Sequence, residues 1–228
     1  MAGRSLECSG GMDSRPRCGT IVFALSIRSG KAKGQRPWDY HNRKPPIQLQ
    51  NTSAEYLLLE REAEERHEYL DGAIYAIAGE SPEHGAICMN LSVLIGSQLR
   101  GTPCQAFAKD MKVRSGPSPL PGAAMRGLFS YPDLLVVWGA MQFYDQFRDV
   151  LLNPSLIAEV LSDSTEACDR GEKFRRYRTR LPTLQDFLLV AQDRPLIDHY
   201  HRVEENRWEL ISLEGLAASL RLESIHCG

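Results

Sequence analysis

Apolar positions change their period several times along this chain, and each change marks an element. Ile87, Leu91, Leu94, Ile95 and Leu99 recur at helical spacing, which predicts a long core-packed helix over 85–100, ended by Gly101. Residues 68–77 read as a hairpin, because Asp71-Gly72 supplies the positive φ angles of a tight turn. The runs 133–138 and 156–161 are almost continuously apolar, as strands covered on both faces are. A strand is also expected over 106–114, another over 187–191, and two meandering edge strands over 197–202 and 208–213. Ser53 is expected to cap a short acidic helix over 54–66, whose apolar side is Tyr56, Leu57, Leu58 and Leu59. A second capped helix starts at Asp163–Thr165, with Glu166 three residues after Asp163, and runs to about Arg180 before Leu181-Pro182.

Two stretches lack any period. Residues 115–127 hold Pro117, Pro119 and Pro121 and read as a long loop, an insertion or flap. Residues 1–50 mix Gly, Arg, Ser, Pro and Lys and close on Pro45-Pro46; they are expected to be an extension without a fixed fold, either a solvated tail or a basic arm that touches a partner. Residues 51–228 then form one folded domain.

Composition narrows the classes. With 228 residues, a net charge of -2 and a pI near 6.3, the chain has no overall pull toward nucleic acid, so any polyanion site has to be a local patch. No apolar run reaches the roughly 18 residues of a membrane span. The six cysteines form no CxxC pair; Cys88 and Cys104 lie in or beside apolar segments, as free buried thiols of a reducing cytoplasm would.

Against this background two acids stand out. Asp133 opens one apolar strand and Glu159 lies inside the next, and an ionised carboxylate is costly to bury without a partner. Alternation puts Asp133 on the face of Leu135 and Val137, and Glu159 on the face of Leu161. If the strands are neighbours, the two acids converge, and oxygen ligands of this kind suit Mg²⁺ or Mn²⁺. The following helix brings Arg170, Lys173, Arg175, Arg176, Arg178 and Arg180 against Asp169 and Glu172, a local basic patch that could meet phosphates. Within it Asp169, Lys173 and Tyr177 share one side at i, i+4 and i+8. Each feature also has a plainer account: a strand-start turn residue, a buried ion pair with an arginine, a solvated helix face. His84, at the mouth of the long helix, reads as a cap or surface residue or as a ligand.

The motifs together resemble a known family. Tyr131-Pro132-Asp133-Leu134-Leu135-Val136-Val137, Asn153-Pro154-Ser155-Leu156-Ile157-Ala158-Glu159-Val160-Leu161-Ser162 and Ser164-Thr165-Glu166-Ala167-Cys168-Asp169-Arg170-Gly171-Glu172-Lys173-Phe174 are similar to the Uma-type putative restriction endonuclease family. Arg66-His67-Glu68-Tyr69-Leu70-Asp71-Gly72, Ser81-Pro82-Glu83-His84 and Gln192-Asp193-Arg194-Pro195 fit the same pattern, over residues 52–226. The resemblance implies an α/β (α+β) restriction-endonuclease-like fold of the PD-(D/E)xK type, a mixed sheet flanked by helices. It further implies a metal-dependent DNA endonuclease in which Asp133 and Glu159 bind Mg²⁺ or Mn²⁺ with Glu68 as a third acid. The superfamily's lysine position is Leu161 here, and Lys173 is the expected substitute. A DNA substrate, a homodimer and a cytoplasmic location follow from the same analogy. The alternative is an inactive nuclease-fold module that binds DNA or protein.

Overall fold

The computed structural model describes residues 21–22, 45–117, 125–162 and 165–225. Strand β1 (Ile21–Val22) is followed by helix α1 (Ser53–Glu62), the hairpin β2 (His67–Leu70) and β3 (Ala73–Ala76), and the long helix α2 (Pro82–Gln98). Next come β4 (Cys104–Ala108), β5 (Lys112–Ser115), β6 (Leu128–Ser130), β7 (Leu134–Trp138), β8 (Val150–Leu151) and β9 (Leu156–Val160). Helix α3 (Glu166–Cys168), a π-helical turn (Asp169–Lys173) and α4 (Phe174–Arg180) form one winding path. The chain finishes with β10 (Asp186–Val190), β11 (Leu196–Glu204), β12 (Arg207–Glu214), β13 (Ser219–Leu220) and a 3₁₀ turn (Glu223–Ile225).

Two mixed sheets carry the fold. One has the order β12-β11-β10-β9-β7-β4, with β9 and β10 parallel; the other has the order β3-β2-β6-β5-β8, with β5 and β8 parallel. Strand β1 pairs antiparallel with β13, and Ile47 donates its N–H to the Ile74 carbonyl, so backbone pairing reaches upstream of residue 51.

The central strands β7 and β9 are buried on both faces, as their unbroken apolar runs require. Leu134, Val136, Leu156, Ala158 and Val160 pack with Ile87, Leu91 and Ile95 of α2. Leu135, Val137, Ile157 and Leu161 pack on the other face with Phe174 and Tyr177 of α4. A third cluster joins Tyr56 and Leu57 of α1 to Tyr69, Ile74 and Phe129 on the second sheet.

Several elements differ from their sequence pattern. Thr52, not Ser53, caps α1, through a full capping box with Glu55. The stretch 106–114 is two strands in different sheets, because Lys109 at φ 60 turns the chain between them. The helix after β9 is not continuous: Phe174 N–H reaches back to the Asp169 carbonyl, five residues away. Thr165 takes its cap position without a side-chain bond, and Asp163 lies outside the described residues. Cys88 is a free buried thiol, but Cys104 is in a disulfide, so the cysteines no longer argue for a reducing compartment.

Candidate functional site

The register of the central strands brings the two predicted acids to one end of the sheet. Leu134 pairs with Ala158, Leu135 with Ile157 and Val136 with Leu156, so one further step sets Asp133 opposite Glu159. Glu159 faces the π turn. Its Oε1 lies 3.3 Å from Lys173 Nζ and accepts a 3.2 Å hydrogen bond from the Tyr177 hydroxyl, which is 2.7 Å from Ser130 Oγ. The same ammonium lies 3.0 Å from Glu68 Oε1 on β2 and 3.1 Å from Asp169 Oδ1. Three carboxylates on three different segments thus close around one lysine, at the junction of the two sheets and the helix.

The cluster is buried and short of positive charge. Glu159, Asp169 and Lys173 are all buried, and Asp169 Oδ1 sits at ion-pair distance from the ammonium without the alignment of a hydrogen bond. Burial pushes the Glu159 carboxyl well above its ordinary range; Lys173 opposes the shift, while Asp169, Asp133 and Glu68 add to it. Burial raises Asp169 too, against the pull of Lys173. For Lys173 burial disfavours the charge, but Asp169, Glu159 and Glu68 outweigh it and hold the ammonium protonated well above its usual range.

Asp133 is held differently. Its Oδ2 accepts a 2.8 Å hydrogen bond from the N–H of Val160, and His84 Nε2 lies 3.3 Å away. The other ring nitrogen of His84 is 2.9 Å from Glu80 Oε2 and 3.4 Å from Cys88 Sγ, and Glu80 also pairs with Lys109. Burial works against an ionised Asp133, but the His84 bond and the Val160 N–H hold its carboxyl below the usual range. For His84 burial opposes the charge, but the contacts with Asp133 and Cys88 together outweigh it, with the ring pushed up to about 11. His84 therefore stays cationic at neutral pH and balances Asp133.

Asp133, Glu159, Lys173 and Glu68 all lie in this region. Leu161, at the superfamily's lysine position, is buried in the core beside Phe174 and Tyr177. Two participants, Asp169 and Tyr177, were visible only as the i, i+4, i+8 companions of Lys173. Glu80 carried no signal beyond its spacing from His84. The expected basic patch is mostly paired with the protein's own carboxylates. Arg170 pairs with Glu166 and Asp198, Arg175 with Glu172, and Arg176 with Glu172 and Asp71.

Two mixed sheets, flanking helices and an acidic cluster with a buried lysine at the end of the central strands define a protein of the nuclease-like class. More specifically, the chain belongs to the Uma2 family, described as "Putative restriction endonuclease", whose model matches residues 53–227. It is similar to two proteins of Synechocystis sp., each described as uncharacterized. With sll1609 it shares 36% identity over 74% of this chain and 90% of the relative. With slr1290 it shares 37% over 74% of this chain and 82% of the relative. A crystal structure from Anabaena variabilis, titled a putative nuclease belonging to DUF820, has the same fold. Its TM-score is 0.61 at 18% identity, over 77% of this chain and 90% of that one. No helix among the described residues is long and apolar enough to cross a membrane.

Proposed function

We propose that this protein is a metal-dependent endonuclease that hydrolyses phosphodiester bonds in DNA. The observation that carries the reading is the convergence of Glu68, Glu159 and Asp169 on one ammonium, with Asp133 opposite Glu159 in the strand register. The donor set fits a hard divalent cation. It consists of carboxylate oxygens, it holds more negative charge than Lys173 neutralises, and one of its buried oxygens, Asp169 Oδ1, has no hydrogen bond. Asp133 and Glu159, with Glu68 assisting, would hold Mg²⁺ or Mn²⁺. Such an ion would stabilise charge developing on a scissile phosphate and lower the pKa of an attacking water.

The protein's own groups do the remaining work. Lys173, kept charged by its acidic neighbours, offsets phosphate charge or orients the water. Tyr177, on α4, fixes Glu159 and is itself backed by Ser130 on β6. His84 and the Val160 N–H keep Asp133 ionised and aimed. In this reading the protein acts in the cytoplasm, and a two-fold homodimer would cut both strands.

The test is plasmid nicking with and without Mg²⁺ or Mn²⁺, comparing wild type with Asp133→Ala and Glu159→Ala. Metal-dependent nicking that falls by at least about 100-fold in both variants is expected, in line with removal of one group that stabilises transition-state charge. Equal activity in all three proteins would sink the catalytic reading. A linear product formed without accumulation of nicked circles supports the dimer. A second reading, a nuclease-fold binding module, is favoured by one observation: the ammonium already occupies the centre of the carboxylate cluster. It predicts DNA or protein binding without nicking.

A further inference from the structure

On the α2-facing side of the same sheet, Asp186, His199 and His201 gather at the opposite end of the strands from the acidic cluster. Asp186 pairs with Leu156 and Leu189 with Glu159, so the two groups are three residues apart along β10, about 10 Å at 3.3 Å per residue. They also face opposite sides: Leu188, on the face of Asp186, belongs to the α2 core, and Leu189 to the α4 core. His199 Nε2 and His201 Nδ1 each lie 2.7 Å from the same Asp186 oxygen, Oδ1. One ligand atom from each residue falls within 4.8 Å of the others.

We infer that Asp186, His199 and His201 form a second metal site, for a divalent transition-metal ion of the zinc class. The argument starts from the charge of Asp186. Its side chain is fully buried, and among the described residues its partners are the two histidines and the Ser224 hydroxyl, with no lysine or arginine paired to it. A buried carboxylate without counter-charge costs several kcal/mol or more.

The two rings stand side by side, with centroids 5.9 Å apart, and each turns one nitrogen to the same carboxylate oxygen. The buried Nδ1 of His199 has no hydrogen-bond partner among the described residues, so no protein acceptor or donor fixes the ring apart from its contact with Asp186. One divalent cation held between these two nitrogens and the carboxylate would supply the counter-charge that Asp186 lacks. Two imidazoles and one carboxylate are a ligand set that suits Zn²⁺ and its neighbours, whereas the oxygen-only acidic cluster suits Mg²⁺ or Mn²⁺. Glu80, His84 and Cys88 are also close enough to share an ion, but Lys109 already pairs with Glu80 and His84 with Asp133.

The site has an entrance and a supporting shell. His201 is partly exposed, which opens a path for the ion and leaves room for a fourth ligand such as water. Ser224 Oγ donates to Asp186 Oδ2 and orients the carboxylate from the 3₁₀ turn. A bound ion would therefore tie β10, β11 and the last described turn together.

The experiment uses the full chain, stripped with a chelator and titrated with Zn²⁺, and separately loaded with Co²⁺ for visible absorption. One tight Zn²⁺ equivalent is expected in wild type and in Glu159→Gln, weakened at least tenfold in His201→Gln and in His199→Gln. The Co²⁺ spectrum should show nitrogen and oxygen coordination without a thiolate charge-transfer band; it needs no variant and so holds even if His199→Gln folds poorly. Loss of Zn²⁺ binding in Glu159→Gln, a thiolate band from Cys88, or unchanged affinity in His201→Gln would each overturn the assignment.

Discussion

At Glu159, burial and an excess of negative charge act in the same direction, and this gives the residue a measurable signature. Its folded-state pKa is raised, so the stability it contributes is complete below the ordinary carboxylate range and is lost as the pH rises through the raised value. Glu159→Gln keeps the shape and the acceptor oxygen for Lys173 and Tyr177 but cannot ionise. Relative to wild type, the variant is expected to gain stability as the pH rises above the ordinary carboxylate range, by at most about 1.4 kcal/mol per unit. Urea midpoints read this directly, and a difference that does not change with pH would show that Glu159 is already ionised when buried. Mg²⁺ should stabilise wild type above that range and leave Glu159→Gln nearly unmoved. Lys173→Met takes away the only ammonium facing Glu68, Glu159 and Asp169 among the described residues, and should cost about 3–5 kcal/mol, as breaking a buried ion pair does.

At the scale of elements, the π turn is what lets one path serve two purposes. Phe174 and Tyr177 are anchored in the core below the sheet, while Asp169 must reach the acidic cluster, and the extra residue of the turn reconciles the two. Deleting Gly171 should restore α-helical winding and rotate Asp169 by about 100° relative to Tyr177. The deletion is expected to keep far-UV circular dichroism and cooperative melting yet abolish nicking. Gly171→Ala is the control: a Cβ there meets nothing within 4 Å, so it should be neutral or stabilise by up to about 1 kcal/mol. The turn could not have been read from the residues, because Asp169, Lys173 and Tyr177 keep the spacing of an ordinary helix and only the backbone bonds differ. The break at Lys109 was hidden for a similar reason: its positive φ is imposed by two sheets meeting, while Phe107, Met111 and Val113 continue an apolar alternation across it. By contrast, β7 and β9 were legible because burial on both faces leaves Glu159 as the one charged residue within the two strands. The hairpin was legible because Asp71 at φ 45 and Gly72 at φ 95 are residue types that tolerate those angles.

For the molecule as a whole, the distribution of charge decides how DNA would be held. The approach of Asp133 and Glu159 was legible from two acids in apolar strands, but the fate of the arginines was not, since their partners Asp71 and Asp198 come from distant parts of the chain. Those pairings, with a net charge of -2, leave little free positive charge along α4 beyond Arg178 and Arg180. Few phosphate contacts release few counterions, so the affinity for a short duplex should fall gently with salt, with a log–log slope shallower than about −3 between about 50 and 200 mM. Fluorescence anisotropy with Glu159→Gln, which should bind without cutting, measures the slope. A slope of about −6 or steeper would mean that Arg170, Arg175 and Arg176 leave their carboxylates when DNA arrives. Double substitution of Asp71 and Asp198 to Asn separates the two cases for Arg176 and Arg170: loosening these two in advance should tighten binding and steepen the slope if they face the DNA, and leave the slope unchanged if the pairs serve only the fold.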